Sequence, residues 1–193
     1  MEFKISRDIF EKCTEFANKS VDSSISKYAS RNQFNKNKII EDIRNGKIGE
    51  EIAWKFLSSK FDSVSKPDYN IYSKNQKSWA ADLTTNLEQS IAVKTQNLES
   101  AKAYGTSWVF QGGVNNSYDT DKKIFKEKDD KHYACFVLID LDNRIGTIKA
   151  IVKVNWLHEN NLFKPMKLKH LQNNKSAIYF DDLQEYKDQL WQI

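Results

Sequence analysis

The apolar positions in the first sixty residues recur at steps of three and four, the spacing of a helix with one buried face. This pattern predicts a helix over residues 6–18, for which Ser6 is a suitable N-terminal cap, and a second helix over residues 21–29. A third helix is expected over residues 38–59, with an interruption at Asn45-Gly46 because glycine weakens a helix interior.

From about residue 66 onward the apolar positions alternate, which predicts strands instead of helices. The expected strands are short and lie at residues 69–72, 78–84, 90–96 and 107–111. Residues 112–131 are rich in Gly, Asn, Asp and Lys and show little periodicity, so they are expected to form a long surface loop.

The clearest hairpin joins residues 133–140 to residues 145–154 through a polar turn. A last helix is expected near the C-terminus, where Asp181 and Gln184 have capping-box spacing. Helices followed by strands and a mixed tail predict one α/β or α+β domain. Its expected parts are a helical extension (1–37), a core (38–111), a loop (112–131), and a final part that completes the sheet and ends in a helix (132–193).

Composition places the chain among soluble globular domains. Its 193 residues are 39% hydrophobic and 29% charged, which suits one domain with a buried core. No apolar run approaches the roughly 20 residues that span a bilayer, so no membrane partner is expected. The first residues lack the apolar segment of a signal peptide, and the expected location is the cytoplasm. The net charge of +4 is compatible with nucleic-acid binding without requiring it.

Asp82 and Lys94 are the strongest candidates for chemistry, because adjacent predicted strands would bring them to one cleft. Hydrolysis of a phosphodiester needs an activated water and a positive charge near the transition state. Mg²⁺ held by one or two carboxylates supplies both, and a lysine can orient the water. The simpler interpretation of such a pair is a solvated cross-strand contact.

A single aspartate is a weak metal site, so a second acid is expected from elsewhere in the chain. Glu50 and Glu51 are the candidates, since they lie at the edge of the predicted helix's apolar stripe. Either one is equally well explained as an ordinary acid in the first turn of a helix, where the helix dipole favours it.

The ordered set Gly49-Glu50, Asp82 and Ala92-Val93-Lys94 resembles the restriction-endonuclease-like superfamily of PD-(D/E)xK nucleases. That family places a helix carrying Gly-Glu beside a sheet whose second and third strands carry an Asp and a (D/E)-x-K. The resemblance covers roughly residues 44–111. It implies a central mixed sheet flanked by helices, with Asp82 and Glu50 binding metal and Lys94 acting in catalysis.

Three further positions follow from the resemblance. Gln96, on the same strand face as Lys94, would contact the scissile phosphate or support the site. Pro67-Asp68 spells the literal PD, so Asp68 is the alternative to Asp82. Ala92 stands where family members usually have a metal-binding Glu or Asp. Two explanations are open for Ala92: natural drift compensated by Glu50 and Gln96, or an engineered Glu→Ala change.

The function implied is a Mg²⁺-dependent endonuclease that cleaves double-stranded DNA, with Mn²⁺ as a possible substitute. A type II restriction enzyme acting as a homodimer is the leading interpretation. The alternatives are an impaired or non-catalytic DNA-binding protein on the same fold and a structure-specific or RNA-directed nuclease. Candidate lysines for contacts to the DNA backbone, which are otherwise solvated surface residues, are Lys122, Lys123, Lys126, Lys167 and Lys169.

Overall fold

A computed structural model describes residues 1–29, 33–72, 81–111, 130–172 and 175–193. The helices are α1 (Arg7–Ala29), α2 (Lys36–Leu57), α3 (Leu98–Tyr104), α4 (Val154–Glu159) and α5 (Phe180–Gln184). The strands are β1 (Glu2–Lys4), β2 (Leu83–Thr84), β3 (Ser90–Asn97), β4 (Ser107–Gln111), β5 (His132–Asp140), β6 (Ile145–Lys153), β7 (Lys164–Pro165) and β8 (Lys175–Tyr179).

The fold is mixed α/β, with a mixed five-stranded central sheet in the order β1-β6-β5-β3-β2. Strands β3 and β5 are parallel, and the other neighbours in this sheet are antiparallel. A parallel pair requires a crossover connection, and here α3 and β4 lie between the two strands in sequence. Strand β4 leaves the central sheet and forms a second, antiparallel sheet in the order β4-β8-β7.

Two apolar cores cover the two faces of the central sheet. Along β3, Ile91 and Val93 belong to the core under α1 and α2, whereas Ala92 packs against the core under the second sheet. This alternation is the period of two that a strand imposes on its side chains. Trp108 and Phe110 of β4 and Phe136 of β5 are the largest fully buried side chains of the second core.

Helix α2 lies unusually close to β3. A Cβ built on Gly49 would stand 1.8 Å from Oγ1 of Thr95, so only glycine permits this approach. At Gly46, one turn earlier, a Cβ would meet nothing within 4 Å. The contact at Gly49 therefore fixes how α2 sits on the sheet.

The helical predictions are confirmed in outline and wrong in two details. The backbone N–H of Ile9 donates to Ser6 Oγ at 3.2 Å, as expected for the cap. Helix α1 is continuous, however, where two helices were expected. Helix α2 also continues through Asn45-Gly46, because burying its apolar face outweighs the roughly 1 kcal/mol cost of a helical glycine.

The predicted hairpin is confirmed by β5 and β6, which pair in antiparallel register. The predicted capping box is wrong: α5 already begins at Phe180, its cap residue makes no side-chain bond, and Asp181 lies in the first turn. The N-terminal segment contains more than helices, since β1 pairs with β6 in the central sheet. Most of the predicted 112–131 loop, including Lys122, Lys123 and Lys126, lies outside the described residues.

The predicted strand at residues 69–72 is absent from the fold. Asp68 instead holds a local turn, accepting bonds from the backbone N–H of Asn70 (2.9 Å) and the hydroxyl of Tyr72 (2.5 Å). An aspartate that bonds the backbone two residues later favours a turn over a sheet ladder. Within the described ranges, the helices lack the combination of length and apolar character needed to cross a bilayer.

The close approach at Gly49 leads to a test with a matched control. Gly46→Ala should raise the free energy of unfolding by about 0.5–1 kcal/mol, because alanine is the better helix former and has open space there. Gly49→Ala should lower it by about 1–3 kcal/mol, because the new methyl group overlaps Thr95. Urea denaturation of both variants measures the difference. Equal stabilisation by the two alanines would contradict the packing described.

Candidate active site

Glu50 lies at the boundary between α2 and the central sheet, in the position directly after Gly49. Its side chain is 12% exposed and accepts a 2.6 Å bond from the ammonium of Lys47, one helical turn earlier. The pKa of Glu50 is raised to about 8, mainly by burial and also by the negative charge of Asp82, against the opposing effect of Lys47. Glu50 is thus a carboxyl group whose ionised form is disfavoured by its surroundings.

Asp82 lies immediately before β2, at the edge of the central sheet. Its Oδ2 accepts a 2.7 Å hydrogen bond from the backbone N–H of Val93 on β3. Its charge raises the pKa of both Glu50 and the buried thiol of Cys135, which places the carboxylate near α2 and near β5. The structure therefore brings Glu50 and Asp82 close to each other, although they are 32 residues apart in the sequence.

Asp68 lies near the same pair, since its charge also raises the pKa of Glu50. Burial acts to raise the pKa of Asp68, but the bonds from Tyr72 and Asn70 outweigh it and leave the pKa below its ordinary value. Both of its oxygens serve the local turn. Asp68 therefore adds negative charge next to Glu50 while its own contacts are those of a turn residue.

Glu51 points away from this pair. It is buried and accepts 2.7 Å bonds from the ammonium of Lys12 and from the hydroxyl of Tyr69. The Tyr69 oxygen also lies 3.4 Å from the sulfur of Cys13. These contacts tie α1, α2 and the turn at residue 69 together, so the position of Glu51 favours a structural role over a catalytic one.

Lys94 and Gln96 leave β3 on the face opposite the one packed against α2. The ammonium of Lys94 lies 4.8 Å from the ring centre of Phe110. The amide of Gln96 donates to the carbonyl of Gly105 at 3.1 Å and accepts from the backbone N–H of Ser107 at 2.8 Å. Gln96 thus holds the connection between α3 and β4, and its expected role at the scissile phosphate or in support of the site stays a prediction.

Ala92 shares the face of Lys94 and packs against the second apolar core. A methyl group there fills space beside Ala134, its partner in the parallel register with β5. Ala92 contributes no ligand atom. The two explanations for its presence both remain open.

A cavity of about 590 Å³ lies where β3 ends, between α2, α3 and the second sheet. Lys94 and Gln96 line it, and so does Lys167, whereas Lys169 is exposed in a short 3₁₀ turn outside the lining. Sequence reasoning missed Lys38 and Asp42, which also line the cavity and form an ion pair at 3.2 Å. Their spacing of four residues on a helix was the available signal, but it did not indicate a cavity.

The carboxylate pair suits a hard divalent cation. Mg²⁺ takes oxygen ligands and commonly uses only one or two carboxylates, completing its shell with water and substrate phosphate. Glu50 and Asp82 supply two carboxylates of mutually unfavourable charge, which a cation between them would relieve. Within the ranges that the structure describes, no three His, Cys, Asp or Glu side chains form a group able to hold a metal ion. The pair therefore depends on substrate oxygens to complete a metal site.

The raised pKa of Glu50 predicts how stability depends on pH in metal-free protein. Since the folded pKa of about 8 exceeds the ordinary 4.5, the folded state binds this proton more tightly than the unfolded state does. Stability should therefore fall as the pH rises from about 4.5 to about 8. Glu50→Gln should flatten this decline, whereas Glu185→Gln, at an exposed position, should leave it unchanged. Urea titrations across that range in EDTA measure it, and an undiminished decline in Glu50→Gln would contradict the assignment.

The candidate active site thus consists of the Glu50–Asp82 pair on the α2 side of β3 and of Lys94, whose ammonium lies against Phe110 on the opposite face. No family model, no curated protein and no solved structure matches this chain. The resemblance to PD-(D/E)xK nucleases therefore stays a prediction from the motifs themselves.

Proposed function

We propose that this protein is a divalent-metal-dependent endonuclease that hydrolyses phosphodiester bonds of double-stranded DNA, in the manner of a type II restriction enzyme. The observation that carries the proposal is the proximity of the Glu50 and Asp82 carboxyl groups. One acid comes from a helix and the other from a sheet edge, and Asp82 helps to raise the pKa of Glu50. Buried acids with perturbed pKa values are common at functional sites.

Mg²⁺, with Mn²⁺ as a substitute, would be held by Glu50 and Asp82 together with phosphate oxygens of the substrate. The bound cation would supply positive charge to the transition state and lower the pKa of a water. Asp82 is suited to hold a fixed position because its Oδ2 is anchored by Val93 N–H. Glu50 must lose its proton to bind the cation, so metal affinity should increase as the pH rises towards 8.

Lys94 follows directly after Val93, the residue whose N–H holds Asp82. Consecutive Cα atoms are about 3.8 Å apart, so the backbone of Lys94 lies next to the residue that binds the carboxylate. Its ammonium rests against Phe110 on the other face. In the proposed mechanism a phosphate at the strand edge would contact both the metal site and the lysine, and the lysine would orient the attacking water or neutralise developing charge.

The arrangement of elements supports the proposal further. Helix α2 carries Gly49-Glu50 against the sheet, Asp82 precedes β2, and Ala92-Val93-Lys94 lies on the neighbouring β3. This is the order that the resemblance to PD-(D/E)xK nucleases implies. One such site cuts one strand, so cleavage of both strands would favour a homodimer on a twofold-symmetric target.

A non-catalytic DNA-binding protein is the second candidate, and the packing of Ala92 favours it. Its methyl group lies against an apolar core, where a family member would present a metal-binding carboxylate. A site with one ligand fewer would bind the cation more weakly. A structure-specific or RNA-directed nuclease would use the same two carboxylates for metal binding.

Cleavage of supercoiled plasmid DNA with Mg²⁺ or Mn²⁺ tests the catalytic assignment. Asp82→Asn and Lys94→Ala should each lower the rate about a hundredfold or more, because the first removes a proposed metal ligand and the second removes positive charge near the transition state. Asp62→Asn, at an exposed position, is the matched control and should cut like the original protein. Unchanged cleavage in both site variants would show that the active site is elsewhere.

Replacement of Ala92 separates the two candidate functions. If the protein is a nuclease that lacks one metal ligand, Ala92→Glu should increase the cleavage rate. It should also lower the Mg²⁺ concentration at which cleavage is half-maximal. Ala92→Gln has nearly the same shape without the charge and should not increase the rate. Melting temperatures of both variants control for damage to the second core. DNA binding without cleavage in all three proteins would support the non-catalytic candidate.

A further inference from the structure

The cavity at the end of β3 has a chemistry that cleavage by the carboxylate pair does not require. Three lysines line it: Lys38, Lys94 and Lys167. The ammonium groups of Lys94 and Lys167 each lie 4.8 Å from the centre of an aromatic ring, those of Phe110 and Tyr179 respectively. Contacts of this kind hold a cation in place while it keeps its charge, which suits the binding of an anion.

Apolar side chains line the same cavity and are exposed to solvent. Tyr104 is 60% exposed, Leu168 40% and Val109 37%, and all three line the cavity. Exposed apolar groups that converge on one concavity indicate a ligand with an apolar surface. A tyrosine at such a position offers a face on which a planar ring can stack.

Polar groups suited to the edge of a heterocycle are present as well. Asp42 and Asn45 of α2 line the cavity. Asp42 is partly shielded from water, and burial raises its pKa against the opposing effect of Lys38. Carboxylate and amide side chains are the groups that accept from and donate to base edges.

The size of the cavity limits what can enter. At about 590 Å³ it falls within the roughly 300–1,000 Å³ range of pockets that enclose one small ligand. A base pair within a stacked duplex cannot enter such a space, whereas one unstacked nucleotide can. Enzymes that act on nucleic acids use pockets of this kind for a nucleotide turned out of the duplex.

We propose that this cavity binds a single unpaired nucleotide, with its phosphate near Lys94 and Lys167 and its base against Tyr104. The inference rests on the proposed function in one respect, since Lys94 also belongs to the candidate active site. It adds a substrate class: DNA that contains an unpaired nucleotide is bound in preference to fully paired DNA. A free nucleoside monophosphate carries the same phosphate and base as an unpaired nucleotide of DNA and is the alternative ligand.

Binding in EDTA tests the proposal without cleavage. The probes are a fluorescein-labelled duplex with one extrahelical thymidine, the matching fully paired duplex, and thymidine 5′-monophosphate as competitor. Fluorescence anisotropy should show preference for the extrahelical probe by about fivefold or more, the effect of stacking one base. Tyr104→Ala should remove that preference, and Tyr104→Phe should retain it because the ring remains.

Matched controls lie outside the cavity lining. Phe34→Ala removes another exposed aromatic ring, at 74% exposure, and should leave the preference unchanged.

Lys167→Gln should weaken binding and reduce the salt dependence by about one phosphate contact. Lys164→Gln removes an exposed lysine from the same segment outside the cavity and should have a smaller effect on the extrahelical probe.

The outcomes separate this proposal from the catalytic one. Equal affinity for the two duplexes, with Tyr104→Ala no different from Phe34→Ala, would overturn the cavity assignment whatever the cleavage assays show. Competition by thymidine 5′-monophosphate that depends on Tyr104 would support nucleotide binding and identify the free nucleotide as a source. Asp82→Asn should keep the preference for the extrahelical probe, so loss of cleavage in that variant concerns only the carboxylate pair.

Discussion

The position of α2 on the central sheet is marked by two glycines at which the helix and the sheet approach each other closely. At Gly49 the helix backbone meets Thr95 of β3, where a Cβ would lie 1.8 Å from the hydroxyl oxygen. At Gly146 of β6 the reverse occurs, since a Cβ there would lie 2.0 Å from Cδ1 of Ile52 on the helix. The contact at Gly49 involves the branched side chain of Thr95 and limits the distance of the helix from β3, whereas the contact at Gly146 involves chiefly the flexible end of Ile52. Glu50 is carried to the sheet edge as a consequence.

The electrostatics of the site follow from that placement. A carboxyl group so close to the sheet loses water, and desolvation is the largest cause of the raised pKa of Glu50. Lys47 compensates in part from the preceding turn, but Asp82 and Asp68 both act in the opposite direction. Concentrating acids around one buried carboxyl group lowers the stability of the metal-free fold above the ordinary pKa of glutamate. Such an arrangement is favourable only when a cation or proton balances the charge, which is the physical reason for proposing a metal ion beside this pair.

The parts of the fold that local sequence determines were predictable, and those set by tertiary contacts were not. The β5–β6 hairpin and the Ser6 cap are encoded within a few residues, by alternation and by a hydroxyl before an apolar stripe. The different positions of Glu50 and Glu51, in contrast, are set by tertiary contacts. Neighbours on a helix point about 100° apart, and only the contact at Gly49 decides which of them faces Asp82.

The cavity was unpredictable for the same reason, since its lining comes from segments that are distant in the chain. The pairing of β1 with β6 gave no local signal either, because three residues are too few for a recognisable alternation. At residues 69–72 a local signal was present but misinterpreted. The apolar alternation predicted a strand, whereas the Asp68 side chain bonds the backbone two residues later and forms a turn.

Strand β3 borders α2 on one face and the second sheet on the other. The two environments meet at the edge of β3 that the short strand β2 leaves unpaired. Within the described ranges, β2 pairs only with Ser90 and Ile91, and from there on the carboxylate of Asp82 takes the place of a paired strand by binding Val93 N–H. A longer β2 would continue the ladder at that edge and would separate the α2 face from the Lys94 face. Because the ladder ends there, a strand of the proposed nucleic-acid substrate would cross this edge with a phosphate near Asp82 and the next nucleotide near the cavity. In that proposal the substrate itself connects the carboxylates with the lysine, whose side chains leave the sheet on different faces of β3.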